Sequence, residues 1–187
     1  IERVQESVRR LHNPMKNIIL IGMPGAGKST VGVILAKTLG MTFVDTDIAI
    51  QERAGRLLQE IIDTEGPDAF LKTEEETIQS LHCRNCVIAT GGSVVFSRKA
   101  MNSLKKEGVV VYLKISCDEM VRRLSNITTR GIVLFSGESL FDMYHERVPL
   151  YERYADITVD CEDEDFEEVV GKVIGELKRE NRGGTKK

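Results

Sequence analysis

No stretch of this chain is apolar for long enough to cross a membrane, and no charged-then-apolar leader precedes a cleavage site. A membrane span and secretion are therefore set aside, and a cytoplasmic setting is expected. A basic excess is missing too. Lys and Arg number 26 against 29 Asp and Glu, a net charge of −3 with no basic cluster inside the domain, which argues against nucleic acid as a partner. Cysteine is sparse: Cys83 and Cys86 make one C-x-x-C, but neither Cys117 nor Cys161 supplies a second pair, and His82 alone does not complete a zinc set. Reduced thiols are expected there. No internal repeat occurs, and 187 residues imply one domain with a proper buried core.

What is present is alternation. The apolar runs "NIILI", "TFVD", "CVIAT", "GVVVYLKI" and "DITVD" read as strands. Between them, "STVGVILAKTLG", "RLLQEIIDTEG", "AFLKTEEETIQSLH", "SRKAMNSLKKEG" and "CDEMVRRLS" carry apolar residues at helical spacing. Strands alternating with helices imply an α/β fold with a parallel five-stranded sheet covered on both faces, and ligands at the carboxyl ends of its strands. Residues 1–15 form an N-terminal extension in which Ile1, Val4, Val8 and Leu11 have the spacing of a short amphipathic helix, although Met15 would itself make an ordinary start. Residues 179–187 are polar and glycine-containing, and a disordered tail is expected.

The sharpest signal is "GMPGAGKST". Gly22, Gly27, Lys28 and Ser29 satisfy G-x-x-x-x-G-K-[ST] between a strand and a helix, the setting in which that motif cradles a nucleoside triphosphate. Gly22, Gly25, Ala26, Gly27, Lys28, Ser29 and Thr30 are the candidate nucleotide contacts. Lys28 should reach the β- and γ-phosphates of ATP and the Ser29 hydroxyl should bind Mg²⁺. The loop does not say where the terminal phosphate goes. A GTPase needs N/T-K-x-D, which is absent, and "DTEG" ends an amphipathic run instead of following a strand. A motor or transporter ATPase needs more chain and an acidic residue after a hydrophobic strand, where this chain has Gly91-Gly92. A small-molecule kinase fits best.

The P-loop, "FVDTD", "VIATGGS", "VVYLKIS…VRRL" and "ERVPLYERYAD" occur in an order that resembles the shikimate kinase family, over about residues 16–175. The resemblance implies a single-domain, nucleoside-monophosphate-kinase-like P-loop fold, a kinase domain at 16–178 with a lid near 127–141, and a monomer acting on a small hydroxy acid. It implies that Asp45 serves the Mg²⁺ and its water shell, and that Asp47 binds the acceptor hydroxyl and takes its proton. Gly91, Gly92 and Ser93 would line the acceptor pocket. Arg130 would cover the transferring phosphate from the lid, Arg123 would sit on the adenine side, and Arg147 would grip the acceptor carboxylate.

The acceptor side departs from the family pattern. F-R-x-x-E becomes Phe70-Leu71-Lys72-Thr73-Glu74, so a leucine stands where the family has a substrate-binding arginine. The third glycine of G-G-G is Ser93, and the lid R-P-L-L is Arg130-Gly131-Ile132-Val133. Leu71 and Glu74 thus mark an altered substrate site. Shikimate and a different hydroxy acid such as homoserine are both open, with Glu74 a carboxylate for an ammonium group. A catalytically weak nucleotide-binding regulator is the third reading, against which the intact Lys28, Asp47 and Arg130 stand.

Overall fold

A computed structural model of the protein describes residues 16–125 and 132–183. The apolar runs form five strands: β1 (Asn17–Ile21), β2 (Thr42–Asp45), β3 (Cys86–Ala89), β4 (Gly108–Lys114) and β5 (Ile157–Asp160). All pair in parallel, in the spatial order β2-β3-β1-β4-β5. Helices α1 (Lys28–Leu39), α2 (Thr46–Ala54), α3 (Leu58–Gln79), α4 (Arg98–Glu107), α5 (Cys117–Ser125), α6 (Leu140–Tyr154) and α7 (Phe166–Gly183) surround the sheet. None of these helices is long and apolar enough to cross a membrane. The expected α/β fold, a parallel five-stranded sheet flanked by helices, is the observed one.

Every residue of β1 is buried, as a strand covered on both faces requires. Ile19 lies opposite Ile88 on β3 and Val110 on β4, so β-branched side chains stack across the sheet centre. From β1 the chain runs out to the edge at β2, returns through β3, and then crosses β1 to reach β4 and β5. Such a reversal opens a crevice at the carboxyl ends of the strands. A second, smaller apolar cluster of Ile50, Leu58, Ile61, Phe70 and Val133 sits apart from the main core. It packs α2 and α3 against the segment that follows residue 131.

One expectation holds and one needs correction. The helical runs on either side of Gly66 are separated as expected: α3 is broken at Gly66 (φ 84°, ψ 167°) and resumes directly after it. That backbone suits glycine alone, and Pro67 directly after it can open the second half, where its missing N–H is not needed. The tail begins later than residue 179. Val169, Val170 and Val173 are buried, and Ile174 and Leu177 pack on the core, which carries α7 through Gly183. Residues 184–187, like the extension 1–15, lie outside the described residues.

At the lower edge of the sheet, Asn17 is buried and satisfies two backbone groups of the segment that leads into β3. Its Nδ2 donates to Cys83 O at 3.0 Å and its Oδ1 accepts the Cys86 N–H at 3.0 Å. Alanine at this position would strand a buried carbonyl and a buried N–H. Asn17→Ala should therefore cost roughly 2–4 kcal/mol of stability, read as a lower urea midpoint with an unchanged slope. A loss below about 0.5 kcal/mol would mean that the two groups find other partners.

Candidate active site

The loop after β1 turns with positive φ at Gly22 (146°), Gly25 (82°) and Gly27 (87°). At Gly22 the reason is also steric: a Cβ there would lie 2.6 Å from Leu113 O on β4. Gly27 caps α1 without a side-chain hydrogen bond. The amides of a helix's first turn, with the positive end of the dipole behind them, make an anion site. Lys28 is buried, and its ammonium bridges the loop by donating to Gly22 O at 2.8 Å and Met23 O at 2.9 Å. Ala26 is buried beneath the loop and Thr30 is exposed on the first turn of α1. Arg123 lies on the outer side of the loop, where its Nη1 donates to Gly25 O at 3.2 Å and its Nε pairs with Glu119. Hydrogen bonds from Arg122 and Arg123 hold the Glu119 carboxyl below the usual range.

Two carboxylates face this cradle from β2 and α2. Asp45 ends β2 and caps α2: its Oδ1 accepts the Asp47 N–H at 3.0 Å and its Oδ2 accepts the Ser29 hydroxyl at 2.7 Å. A hydroxyl and a carboxylate in contact beside the start of α1 are the hard oxygen donors that Mg²⁺ takes, with water and phosphate oxygens filling the remaining positions. The donor set therefore fits the metal. Among the described residues no group of three or more His, Cys, Asp or Glu side chains could hold an ion by itself.

The third wall follows β3. Thr90 Oγ1 donates to Leu20 O at 2.9 Å, and the Gly91 N–H donates to Thr46 Oγ1 at 3.2 Å, which ties β3 to both β1 and α2. A Cβ on Gly91 would stand 2.5 Å from Glu74 Oε1 and 2.9 Å from Asp47 Oδ1, so only glycine leaves room there. Tyr151 on α6 donates to Gly92 O at 2.6 Å and fixes the second glycine. One turn earlier on α6, Arg147 is fully buried, with its Nη2 donating to Val133 O and its guanidinium 5.2 Å over the Phe96 ring. Its Nε has no partner among the described residues. A buried donor of this kind, opening on a cavity, is suited to a carboxylate.

These parts enclose a cavity of about 300 Å³. Gly27, Lys28, Ser29, Asp45, Asp47, Gly91, Gly92, Ser93 and Arg147 line it together. Two expected pocket residues do not. Leu71 is half-buried but absent from the lining: it is turned about 100° around α3 from Phe70, which does face the cavity. Glu74 is buried behind Gly91 and Ser93, with its Oε2 accepting the Ser93 hydroxyl at 2.8 Å and its Oε1 unpartnered. Burial raises its pKa to about 8, against the pull of Ser93, so the carboxyl is neutral at physiological pH. Arg130 falls outside the described residues. Gln51, Leu58, Phe70, Ile132 and Val133 also line the cavity, and sequence reasoning had not singled out any of them as a site residue. The helical spacing of Gln51 from Asp47, and of Phe70 from Glu74, was the available signal.

A P-loop beside paired strand-end carboxylates and a buried guanidinium defines a small-molecule phosphotransferase. The family model for shikimate kinase matches residues 24–178. A shikimate kinase of Thermodesulfovibrio yellowstonii is 40% identical over 174 residues, which cover 91% of this chain and all of that protein. One of Vibrio cholerae is 38% identical over 162 residues, covering 85% and 93%. Among solved structures, the shikimate kinase from Acinetobacter baumannii in complex with shikimate superposes with a TM-score of 0.84 at 28% identity, covering 97% of this chain and 99% of that one. That of Aquifex aeolicus gives 0.74 at 30% identity, covering 87% and 96%. The chain belongs to the shikimate kinase family: it is an ATP- and Mg²⁺-dependent phosphotransferase acting on an alcohol.

The neutral Glu74 has a measurable consequence. Unfolded, the carboxyl ionises near 4.5, whereas folded it keeps its proton to about 8. The folded state therefore binds the extra proton between those values. Its contribution to stability is complete below the lower value and is lost as pH rises towards the upper one. Glu74→Gln still accepts the Ser93 hydrogen bond and has no proton to lose. Relative to the parent, the variant should gain on the order of a few kcal/mol between pH 4.5 and 8. Urea unfolding at both ends of that range measures it, and an equal difference at both ends would contradict a raised Glu74 pKa.

Proposed function

We propose that the chain transfers the γ-phosphoryl group of ATP to a hydroxyl of a small hydroxy acid, and that shikimate is its acceptor. The observation that carries this is one cavity lined by Lys28, Ser29 and Asp47 together with a buried Arg147 whose Nε is unpartnered among the described residues. Lys28 exchanges its two loop carbonyls for phosphate oxygens. Ser29 and Asp45 would hold the Mg²⁺, which when bound neutralises charge on the β- and γ-phosphates. Arg147 takes the acceptor carboxylate and so turns one hydroxyl towards Asp47. The hydroxyl oxygen bonds to the γ-phosphorus as the bond to the bridging oxygen breaks, ADP leaves, and the hydroxyl proton passes to Asp47. Arg130, by family resemblance, covers the transferring phosphate, and Arg123 borders the base from its place on Gly25.

The amino-hydroxy-acid reading loses the feature on which it rested. Glu74 stands behind the cavity wall, and a neutral carboxyl offers an ammonium group no charge. The proposal includes a monomeric, cytoplasmic enzyme with no nucleic-acid or membrane partner. Its kinase domain spans 16–178, with a lid near 127–141.

ADP release measured with MgATP against shikimate, homoserine and other hydroxy acids tests the reading. Shikimate should stimulate release, and no stimulation by any acceptor would favour a nucleotide-binding regulator. Two variants assign the roles. Asp47→Asn should lower kcat about a hundredfold or more. Arg147→Lys should raise the acceptor KM about tenfold with little change in the ATP KM, because a point charge cannot replace a planar fork.

A further inference from the structure

The cavity lining combines ionic residues, Lys28, Asp47 and Arg147, with apolar ones, Ile48, Leu58 and Phe70. Two neutral amides, Gln51 and Gln59, belong to the same lining. Gln59 is exposed, and its Nε2 is committed to Asp63 Oδ1 at 2.7 Å. Gln51 is half-buried and held differently. Its Oε1 accepts the Leu58 N–H at 3.2 Å, one of the amides at the start of α3 that no helical carbonyl can reach. A backbone amide only donates, so this bond fixes which end of the Gln51 amide faces the helix. The Nε2 end is left over, and it donates to no residue among those described.

Helix geometry sets where that donor stands. Gln51 follows Asp47 by four residues on α2, so both project from one face, about 6 Å apart along the axis. An acceptor whose reacting hydroxyl lies against Asp47 presents to Gln51 the atoms one helical turn further on. Leu71, at the position where the family pattern has an arginine, brings no donor to that region.

We propose that Gln51 is a specificity-determining residue, whose amide NH₂ donates to a second oxygen of the acceptor, a hydroxyl one helical turn from the phosphorylated one. It supplies the hydrogen bond that Leu71 does not. The inference rests on the phosphotransferase reading above and narrows its substrate class. A hydroxyl oxygen accepts such a bond, whereas an ammonium group has no lone pair to offer. Gln51 therefore favours a polyhydroxylated acid over an amino-hydroxy acid of similar size.

The test uses shikimate and its analogues lacking one of the two ring hydroxyls that are not phosphorylated, each with MgATP. The parent should prefer shikimate over one of the two analogues by about three- to tenfold in kcat/KM, the range for a neutral hydrogen bond. Gln51→Glu keeps an oxygen for the Leu58 N–H but removes the donor. It should raise the shikimate KM, abolish the preference over that analogue, and leave the ATP KM and the thermal midpoint unchanged. A parent that turns over shikimate with its preference undiminished in Gln51→Glu overturns the role of Gln51 and leaves the kinase reading intact. Turnover of homoserine with none of shikimate overturns it together with shikimate as the acceptor, and leaves the phosphotransferase reading intact. No acceptor-dependent ADP release at all overturns both.

Discussion

The Asp45 carboxylate, at the carboxyl end of β2, accepts the Ser29 hydroxyl with one oxygen and the Asp47 N–H with the other. Through the first bond the edge strand is joined to the phosphate loop, and through the second it starts the helix that carries Asp47 and Gln51. The register of β2 on β3 places Asp45 opposite Ala89, level with the Thr90–Gly91 step that closes the acceptor side. Loss of this carboxylate would release the start of α2 and leave the Ser29 hydroxyl without its acceptor. The phosphate loop and the helix that carries Asp47 are thus joined by one short side chain.

Charge explains much of the remaining arrangement. Lys28 and Arg147 are buried cations that line one cavity with Asp45 and Asp47. A third ionised carboxylate beside Asp47 would repel both the triphosphate and an acceptor carboxylate. Burial keeps Glu74 neutral, and its Oε2 takes the Ser93 hydroxyl. Ser93, which departs from the glycine of the family pattern, is the side chain that gives that carboxyl its hydrogen bond.

The sheet, its parallel order and the phosphate loop were legible because their signals are local: a β-branched run, a fixed glycine spacing, a lysine and a hydroxyl in sequence. Asp45, which ends β2, and Asp47, in the first turn of α2, were legible as carboxylates that follow a strand in the D-T-D of the motif. The cavity wall was not. Phe70, Val133 and Gln51 come from three separate segments, and only tertiary packing in the small Ile50–Phe70–Val133 cluster brings them together. Gly66 was read as a helix end and is one, but the helix resumes at once because Pro67 suits a first turn. The polar tail residues 179–183 hid the end of α7, which follows its buried valines and ignores the polarity of its last turn. Leu71 showed that the acceptor side was altered. It could not show that Glu74 lies behind the wall, since helical spacing gives a face and not a depth.

The central claim is that the γ-phosphoryl group passes to a hydroxyl of an acid held between Asp47 and Arg147, and not to water. Phosphorus NMR of the protein with MgATP and shikimate follows the fate of that phosphorus directly. The account predicts a new phosphomonoester resonance growing in step with ADP, with inorganic phosphate at the level of a protein-free control. ADP accompanied by inorganic phosphate alone, at the same rate with and without shikimate, would contradict it.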